Sequence, residues 1–308
     1  MYILNLPGRI IRTLRRRSIN RWQKMINEMK ESQRKAELER KERWWDENWG
    51  SKNKKQHSLN SRVQLTLHAD SRLCRLIDTT DFELNELAFI KAYLSPGDVF
   101  LDVGANIGLF TLLAADAVGS TGAVHSFEPC GATFNRLSSN IRLNNFDNVR
   151  ANQLALSEEP GELELYTSQD GHDAWNSFAG TLAGAAGERQ LVSVGTLDDY
   201  VLQNQVVPSL IKIDVEGWES QVLKGGQVAL SGLDAPDLLV EFTEHNCVAA
   251  GSSGKDLFHA IEQLGYKLFH IRADLQLQPA YEGEDFPYCN LIATKCRDKL
   301  LHRLSHQD

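Results

Sequence analysis

The chain has no apolar run near the roughly 18 residues that a bilayer-spanning helix needs. Its opening Met1–Leu6 is apolar, but Pro7 and Gly8 end it and arginines follow, so no secretory leader is expected. Cysteine is sparse and unpaired in pattern. Cys74, Cys130, Cys247, Cys289 and Cys296 are an odd, scattered set without a C-x-x-C, which excludes a disulfide framework or a zinc knuckle. A reducing compartment, the cytoplasm, is the expected location. The G-x-G-x-x-G fingerprint of dinucleotide binding and the Gly-Lys-Ser/Thr of a triphosphate loop are also missing.

What is present is a near-average globular composition, 42% hydrophobic and 24% charged over 308 residues, which excludes a disordered or collagen-like chain. The net charge of -8 conceals an asymmetry. Residues 1–55 hold 16 Lys/Arg against 7 Asp/Glu, leaving 17 against 34 in the rest. A basic arm (1–55) is therefore joined to an acidic body (56–308), and an acidic body argues against broad nucleic-acid binding.

Between residues 9 and 47 there is no Pro or Gly, and pairs such as Glu31–Lys35 and Glu39–Arg43 support a helix. Ile11, Leu14, Trp22, Met25, Ile26 and Met29 make a partial stripe, too short for a coiled coil. Two readings stay open: a solvated basic helix that helps oligomerise, or an amphipathic helix with Arg12, Arg15, Arg16 and Arg17 on anionic lipid. Residues 50–61 read as a polar, flexible linker.

The body alternates strand and helix. Short strands are expected at 63–67 and 74–77 and a helix at 85–93. A buried strand follows at 99–103, a helix at 107–118, a strand at 123–127, a helix at 133–144 and strands at 149–156 and 162–166. Buried strands recur at 210–214, 238–242 and 267–271, separated by helices at 220–230 and 255–264, with a last strand at 289–294. Such alternation predicts an α/β fold with a mainly parallel sheet covered on both faces, whose ligands bind at the carboxyl ends of the strands.

At the first of those ends stands Asp102-Val-Gly-Ala-Asn-Ile-Gly108. Gly104 permits a tight turn and close approach of a ligand, Gly108 permits close helix packing, and Asp102 offers a carboxylate to a cationic group. Glu128 ends the next strand, 24 positions after Gly104, where an acidic residue holds ribose hydroxyls, and Pro129 fixes the turn after it. A glycine turn, a strand-end Asp and a ribose-type Glu without pyrophosphate glycines suit a single nucleoside with a cationic centre. S-adenosylmethionine has that chemistry.

Gly97–Gly108, Phe127-Glu128-Pro129, Thr196-Leu197-Asp198-Asp199 and Ile211-Lys-Ile-Asp-Val-Glu-Gly217 occur in this order. Together they resemble the FkbM family of S-adenosylmethionine-dependent methyltransferases, from about Phe82 to Thr294. The resemblance implies a Rossmann-like class I methyltransferase fold and O-methylation of a sugar, glycan or glycosylated natural product. It also implies that Asp102, Gly104, Asn106 and Glu128 bind the cofactor, within a loop that includes Ala105. Phe82-Glu83 resembles an aromatic-Glu pair that precedes the first family motif, so Glu83 joins the cofactor group. Ala155 falls where the third strand should face the adenine. The alternative is an inactive cofactor-binding scaffold tethered by the arm.

For the reaction itself, period-two alternation puts Lys212 and Asp214 on one strand face, with Glu216 in the turn that follows. A buried Lys needs a carboxylate partner, so this is either a structural ion pair or the edge of a methyl-transfer site. Glu241, Glu244, His245 and Asn246 end the next strand, and His245 is the candidate base by its ordinary pKa. Oxygen donors here would suit Mg²⁺, but no metal is required by the resemblance.

The glycine-rich segment 171–187 carries His172, Asp173, Trp175, Asn176 and Ser177 and reads as an acceptor lid. If Trp175 stacks on a sugar ring, Trp175→Ala raises the acceptor KM severalfold and leaves cofactor affinity unchanged. Steady-state kinetics that match the parent in both respects would remove the lid.

Overall fold

The computed structural model describes residues 53–167, 176–178 and 188–305, with isolated helical positions at Ala36, Arg40, Arg43 and Trp49. The expected arm helix and most of the glycine-rich segment, including Trp175, lie outside the described residues. The chain divides into two units, Met1–Lys52 and Asn53–Asp308, and the second holds everything that follows.

A hairpin opens this unit where a flexible linker is expected from composition. Strand β1 (Lys54–Ser58) pairs antiparallel with β2 (Gln64–His68). The Asn60 side chain folds the turn between them, accepting from the N–H groups of Arg62 at 2.7 Å and Val63 at 2.9 Å. Helix α1 (Arg72–Thr79) then replaces the strand expected at 74–77. Ser71 caps it by accepting from the Cys74 N–H at 3.0 Å, and Leu73, Cys74 and Ile77 share one buried face. Their spacing is helical, and a four-residue window was too short to show it.

Helix α2 (Leu84–Tyr93), strand β3 (Val99–Val103), helix α3 (Leu109–Val118), β4 (Ala123–Phe127), α4 (Gly131–Leu143) and β5 (Val149–Asn152) follow in the expected alternation. The strand expected over 149–156 is divided, because its last residues leave the main sheet. They form β6 (Ala155–Leu156), which with β7 (Gly161–Thr167) and β8 (Glu188–Gly195) makes a separate sheet of order β6-β8-β7. Helix α5 (Leu197–Asn204) starts at Thr196, whose hydroxyl accepts from the Asp199 N–H at 3.1 Å. Then come β9 (Leu210–Ile213), α6 (Glu219–Lys224), β10 (Asp237–Phe242), α7 (Glu244–Ala249), α8 (Gly254–Gln263), β11 (Lys267–Ile271), β12 (Leu277–Pro279), β13 (Cys289–Thr294) and α9 (Arg297–Ser305).

The main sheet has the order β12-β11-β13-β10-β9-β3-β4-β5. β10, β9, β3, β4 and β5 are parallel, and β13 runs antiparallel between β10 and β11. Leu101, Val103, Ile211, Ile213, Leu238, Val240 and Phe242 form its core. The strands are near-continuous apolar runs because helices cover both faces. This is the Rossmann-like class I arrangement. From β3 the chain winds outward through β4 and β5, then returns to add β9 and β10 on the other side. The reversal lies between β3 and β9, and there the carboxyl ends open a crevice. Among the described residues no helix is long and apolar enough to cross a membrane.

The crevice is narrow at its base. Gly104 has φ +88°, and a Cβ at that position would lie 1.8 Å from the Asp214 carbonyl oxygen. Gly104→Ala is therefore expected to lower stability by roughly 3 kcal/mol, combining left-handed strain with displaced backbone. Chemical denaturation reads this directly, and an unchanged midpoint would contradict the close approach of the two strand ends.

Candidate active site at the strand ends

The turn after β3 is fastened to β4. The N–H groups of Gly104 and Ala105 donate to the Phe127 carbonyl at 3.0 and 2.9 Å. Glu128 continues the link: its Oε2 accepts from the Asn106 N–H at 3.1 Å and its Oε1 from the Cys130 N–H at 2.9 Å. Asn106 sits at φ +48° and Gly108 at φ +98°, and a Cβ on Gly108 would lie 2.7 Å from Leu137 Cδ1 of α4. Asp102, Gly104, Ala105, Asn106, Gly108, Glu128 and Pro129 thus form one patch over the ends of β3 and β4. Ala155 belongs to β6 of the small sheet and packs with Cys130, the residue after Pro129, and with Leu165, Val192 and Val194.

Beside that patch lies a buried charge cluster. Lys212 of β9 is the register partner of Asp102 of β3, so both project from neighbouring positions on the same face. Lys212 is 2% exposed; its Nζ donates to Asp214 Oδ2 at 2.6 Å and stands 4.6 Å from the centre of the Phe110 ring. Asp102 is fully buried. Its Oδ2 accepts from the Thr111 hydroxyl at 2.6 Å, while its Oδ1 has no hydrogen-bond partner among the described residues.

The remaining carboxylates come from four elements. Glu83, at φ +49° before α2, accepts from the Tyr288 hydroxyl at 2.7 Å. Glu216, at φ +54° in the turn after β9, accepts from Asn246 Nδ2 at 2.6 Å. Glu219 is buried and holds that turn, accepting from the N–H groups of Val215 at 2.9 Å and Gly217 at 3.2 Å. Glu241 of β10 is buried beneath them, its Oε1 accepting from the Thr243 hydroxyl at 3.2 Å.

Six carboxyl groups thus share one space with one lysine, and the pKa values of the lysine and of five of the acids show it. Burial alone would lower the Lys212 pKa, but Asp214, Asp102 and Glu83 outweigh it and hold the ammonium above its ordinary value. Burial raises Asp102, with Lys212 and the Thr111 hydrogen bond opposing. Glu83 is pushed up to about 7 by burial and by Asp214, against the pull of Lys212. Burial also pushes Glu219 up to about 7. Glu216 and Glu241 are raised well above 4.5, by burial first and then by Asp214.

The expected convergence at the end of β10 is only partly realised. Asn246 reaches Glu216, but His245, the expected base, is exposed on α7. Glu244 is instead a helix cap, its Oε2 accepting from the Gly254 N–H of α8 at 2.8 Å. Residues one apart on a helix point about 100° apart, so Asn246 and His245 cannot both face the cluster. Tyr288 and Asn290, whose Nδ2 lies 3.4 Å from Glu83 Oε1, enter from β13 and the loop before it with no sequence motif to announce them. Glu219 is marked only by its place three residues after Glu216. The described part of the glycine-rich segment also reaches this site. The Ser177 hydroxyl donates to the Glu216 carbonyl at 2.9 Å, and Phe178 packs on Trp218 with ring centres 5.2 Å apart.

Asp214, Glu216 and Glu241 each bring an oxygen within 4.8 Å of the others, a donor set able to hold a divalent cation. Lys212 already supplies countercharge there through Asp214.

The fold and strand-end site define a class I nucleoside-cofactor architecture. The family model described as the methyltransferase FkbM domain matches residues 102–268, and the chain belongs to that family. It is 34% identical over 149 residues to Methyltransferase 1 of Beauveria bassiana (strain ARSEF 2860), covering 42% of this chain and 59% of that protein. It is 31% identical over 165 residues to the 31-O-demethyl-FK506 methyltransferase FkbM of Streptomyces tacrolimicus, covering 43% of this chain and 60% of that protein. These matches span about three-fifths of either relative's length. Among solved structures, it is similar to Methyltransferase FkbM from Methylobacillus flagellatus KT, with a TM-score of 0.42 and 17% identity over 66% of this chain and 47% of that one.

Groups whose folded pKa is raised bind protons more tightly folded than unfolded. The stability they contribute is fully present below about pH 4.5 and is lost as pH rises to about 7. Glu219→Gln keeps an acceptor for the Val215 and Gly217 N–H groups but removes the titration. Its melting temperature should exceed the parent's at pH 8 and vary less between pH 4.5 and 7. An unaltered pH slope would show that Glu219 ionises as freely folded as unfolded.

Proposed function

We propose that this chain transfers a methyl group from S-adenosylmethionine to a hydroxyl of a sugar, glycan or glycosylated natural product. The observation that carries the reading is the buried carboxylate cluster around Lys212 beside the Asp102–Gly108 turn. When bound, S-adenosylmethionine supplies a methyl on a positively charged sulfur that then leaves as a neutral thioether.

The donor set fits such a cation. Asp102 presents a buried carboxylate oxygen without a hydrogen-bond partner among the described residues, the acceptor that a cofactor ammonium would satisfy. Glu128, held at the end of β4 by the Asn106 and Cys130 N–H groups, is assigned to the ribose hydroxyls. Gly104 and Ala105 hold the turn against β4 through the Phe127 carbonyl. Glu83 closes the other side, fixed by Tyr288.

The same cluster suits a hydroxyl acceptor. A sugar hydroxyl must lose its proton as its oxygen attacks, and a carboxylate raised well above 4.5 is a better base than an ordinary one near neutral pH. Glu216 is assigned this part. Its backbone is held at φ +54° and its side chain is oriented by Asn246. Asp214 is held by Lys212 and positions the acceptor, while Lys212 keeps its charge and limits repulsion among the acids. His245, exposed on α7, takes no part. Acceptance at oxygen is further supported by the Streptomyces relative, whose name describes a substrate lacking an O-methyl group.

Turnover of the full chain against a panel of glycosides and hydroxylated macrolides, read by mass spectrometry for one added methyl, tests the function. Cofactor binding without product from any acceptor would instead favour the scaffold. With an accepted substrate, Glu216→Gln should lower kcat about 100-fold with little change in cofactor affinity, and His245→Ala should leave kcat within about twofold. A Glu216→Gln enzyme with parental kcat would remove that residue from proton transfer.

A further inference from the structure

A second cavity lies on the opening hairpin, apart from the strand-end cluster, and its chemistry is opposite in sign. It has a volume of about 400 Å³ and lies between the β1–β2 hairpin and α4. Lys54 faces His68 in the hairpin register and Gln56 faces Thr66, so alternation gathers their side chains on the side away from buried Leu65 and Leu67. The α4 wall brings Arg136, with Asn135 and Ser139 on the same helical face.

The frame is firm. Asn140 Oδ1 accepts from the Thr66 N–H at 2.9 Å, and Asn144 both accepts from the Gln64 N–H at 2.8 Å and donates to its carbonyl at 2.7 Å. These bonds tie the outer edge of β2 to α4 and satisfy backbone groups that an edge strand would leave open.

Among the described residues no carboxylate lines this cavity, although the body outside residues 1–55 carries twice as many acids as bases. Lys55 is paired with Asp78 at 2.6 Å and Arg136 with Asp70 at 2.6 Å, both acids reaching in from beyond the lining. Asp70 is 70% exposed and screens Arg136 weakly. Lys54 has no ion-pair partner among the described residues. His68 is pushed down to about 4 by burial, then by Arg136 and Lys54, so at neutral pH it is an uncharged ring with one N–H to donate.

We propose that this cavity binds a phosphate group, with Lys54 and Arg136 supplying charge and His68 and Gln56 supplying neutral donors. Cations and hydrogen-bond donors converging without a carboxylate match an oxyanion with several acceptor oxygens. Two sources offer this one chemistry, a lipid headgroup and a free phosphorylated metabolite.

The test uses the full chain, so that the basic arm is common to every sample. Calorimetry with pyrophosphate and glucose 1-phosphate probes the free source. Flotation on phosphatidylcholine vesicles, with and without phosphatidic acid, probes the lipid source. Lys54→Ala, an exposed site, and the double variant Lys54→Ala/Arg136→Gln should each weaken binding, the double by about tenfold. NMR of the histidine ring signals follows His68 during the same titrations. Loss in the calorimetric arm assigns a metabolite, and loss confined to the vesicle arm assigns a headgroup. No binding of any probe, or binding that ignores Lys54→Ala and leaves the His68 signals in place, would overturn the proposal.

Discussion

The buried ammonium of Lys212 is the interaction on which the site depends. It stands beside Asp102, touches Asp214 at 2.6 Å and lies over Phe110, all at the reversal point of the sheet. An isolated buried lysine would be costly, and so would each of the carboxylates around it. Together they offset one another, but incompletely, because one positive charge cannot neutralise six acids. The raised pKa values of Glu83, Glu216, Glu219 and Glu241, one partial answer to the shortfall, follow from burial first and then from the neighbouring acids. A cationic ligand would meet that shortfall better. The site is therefore poised for positive charge by its own unsatisfied electrostatics.

The backbone serves the same end. Gly104 lets the β3 turn lie against the Asp214 carbonyl, and Gly217, at φ +93°, lets the β9 turn lie against Asn246 of α7, where a Cβ would come within 2.3 Å of its carbonyl oxygen. Glu128 joins the β3 and β4 turns and Glu219 closes the β9 turn. Each turn is held by a carboxylate that accepts from backbone N–H groups. Asp214 and Glu216 are left to face the crevice. Ser177 and Phe178 then fasten part of the glycine-rich segment to this same turn.

The parts of this arrangement legible in the sequence are those set by short-range rules. Buried runs such as 99–103 and 289–294, the glycines of the β3 turn and the Lys212/Asp214 alternation all follow from local geometry. What escaped is settled by contacts distant in sequence. The alternating run 188–195 is a strand only because β6 and β7 flank it, and nothing local marks where β5 ends and β6 leaves the main sheet. Tyr288 and Asn290 meet Glu83 across about 200 residues. His245 is the candidate base by residue type alone, yet the phase of a six-residue helix turns Asn246 inward instead. The FkbM resemblance, resting on ordered motifs, agrees with the family match over residues 102–268.

On the proposed function, the Asp102 oxygen that has no hydrogen-bond partner among the described residues and the carboxylates beside it seat a cationic nucleoside cofactor. Calorimetric titration of the full chain with S-adenosylmethionine and S-adenosylhomocysteine, beside an Asp102→Asn variant, tests this most directly. Saturable binding of both ligands at one site, weakened by at least about tenfold in Asp102→Asn, is expected. Absence of binding by either ligand, or equal binding by parent and variant, would contradict it.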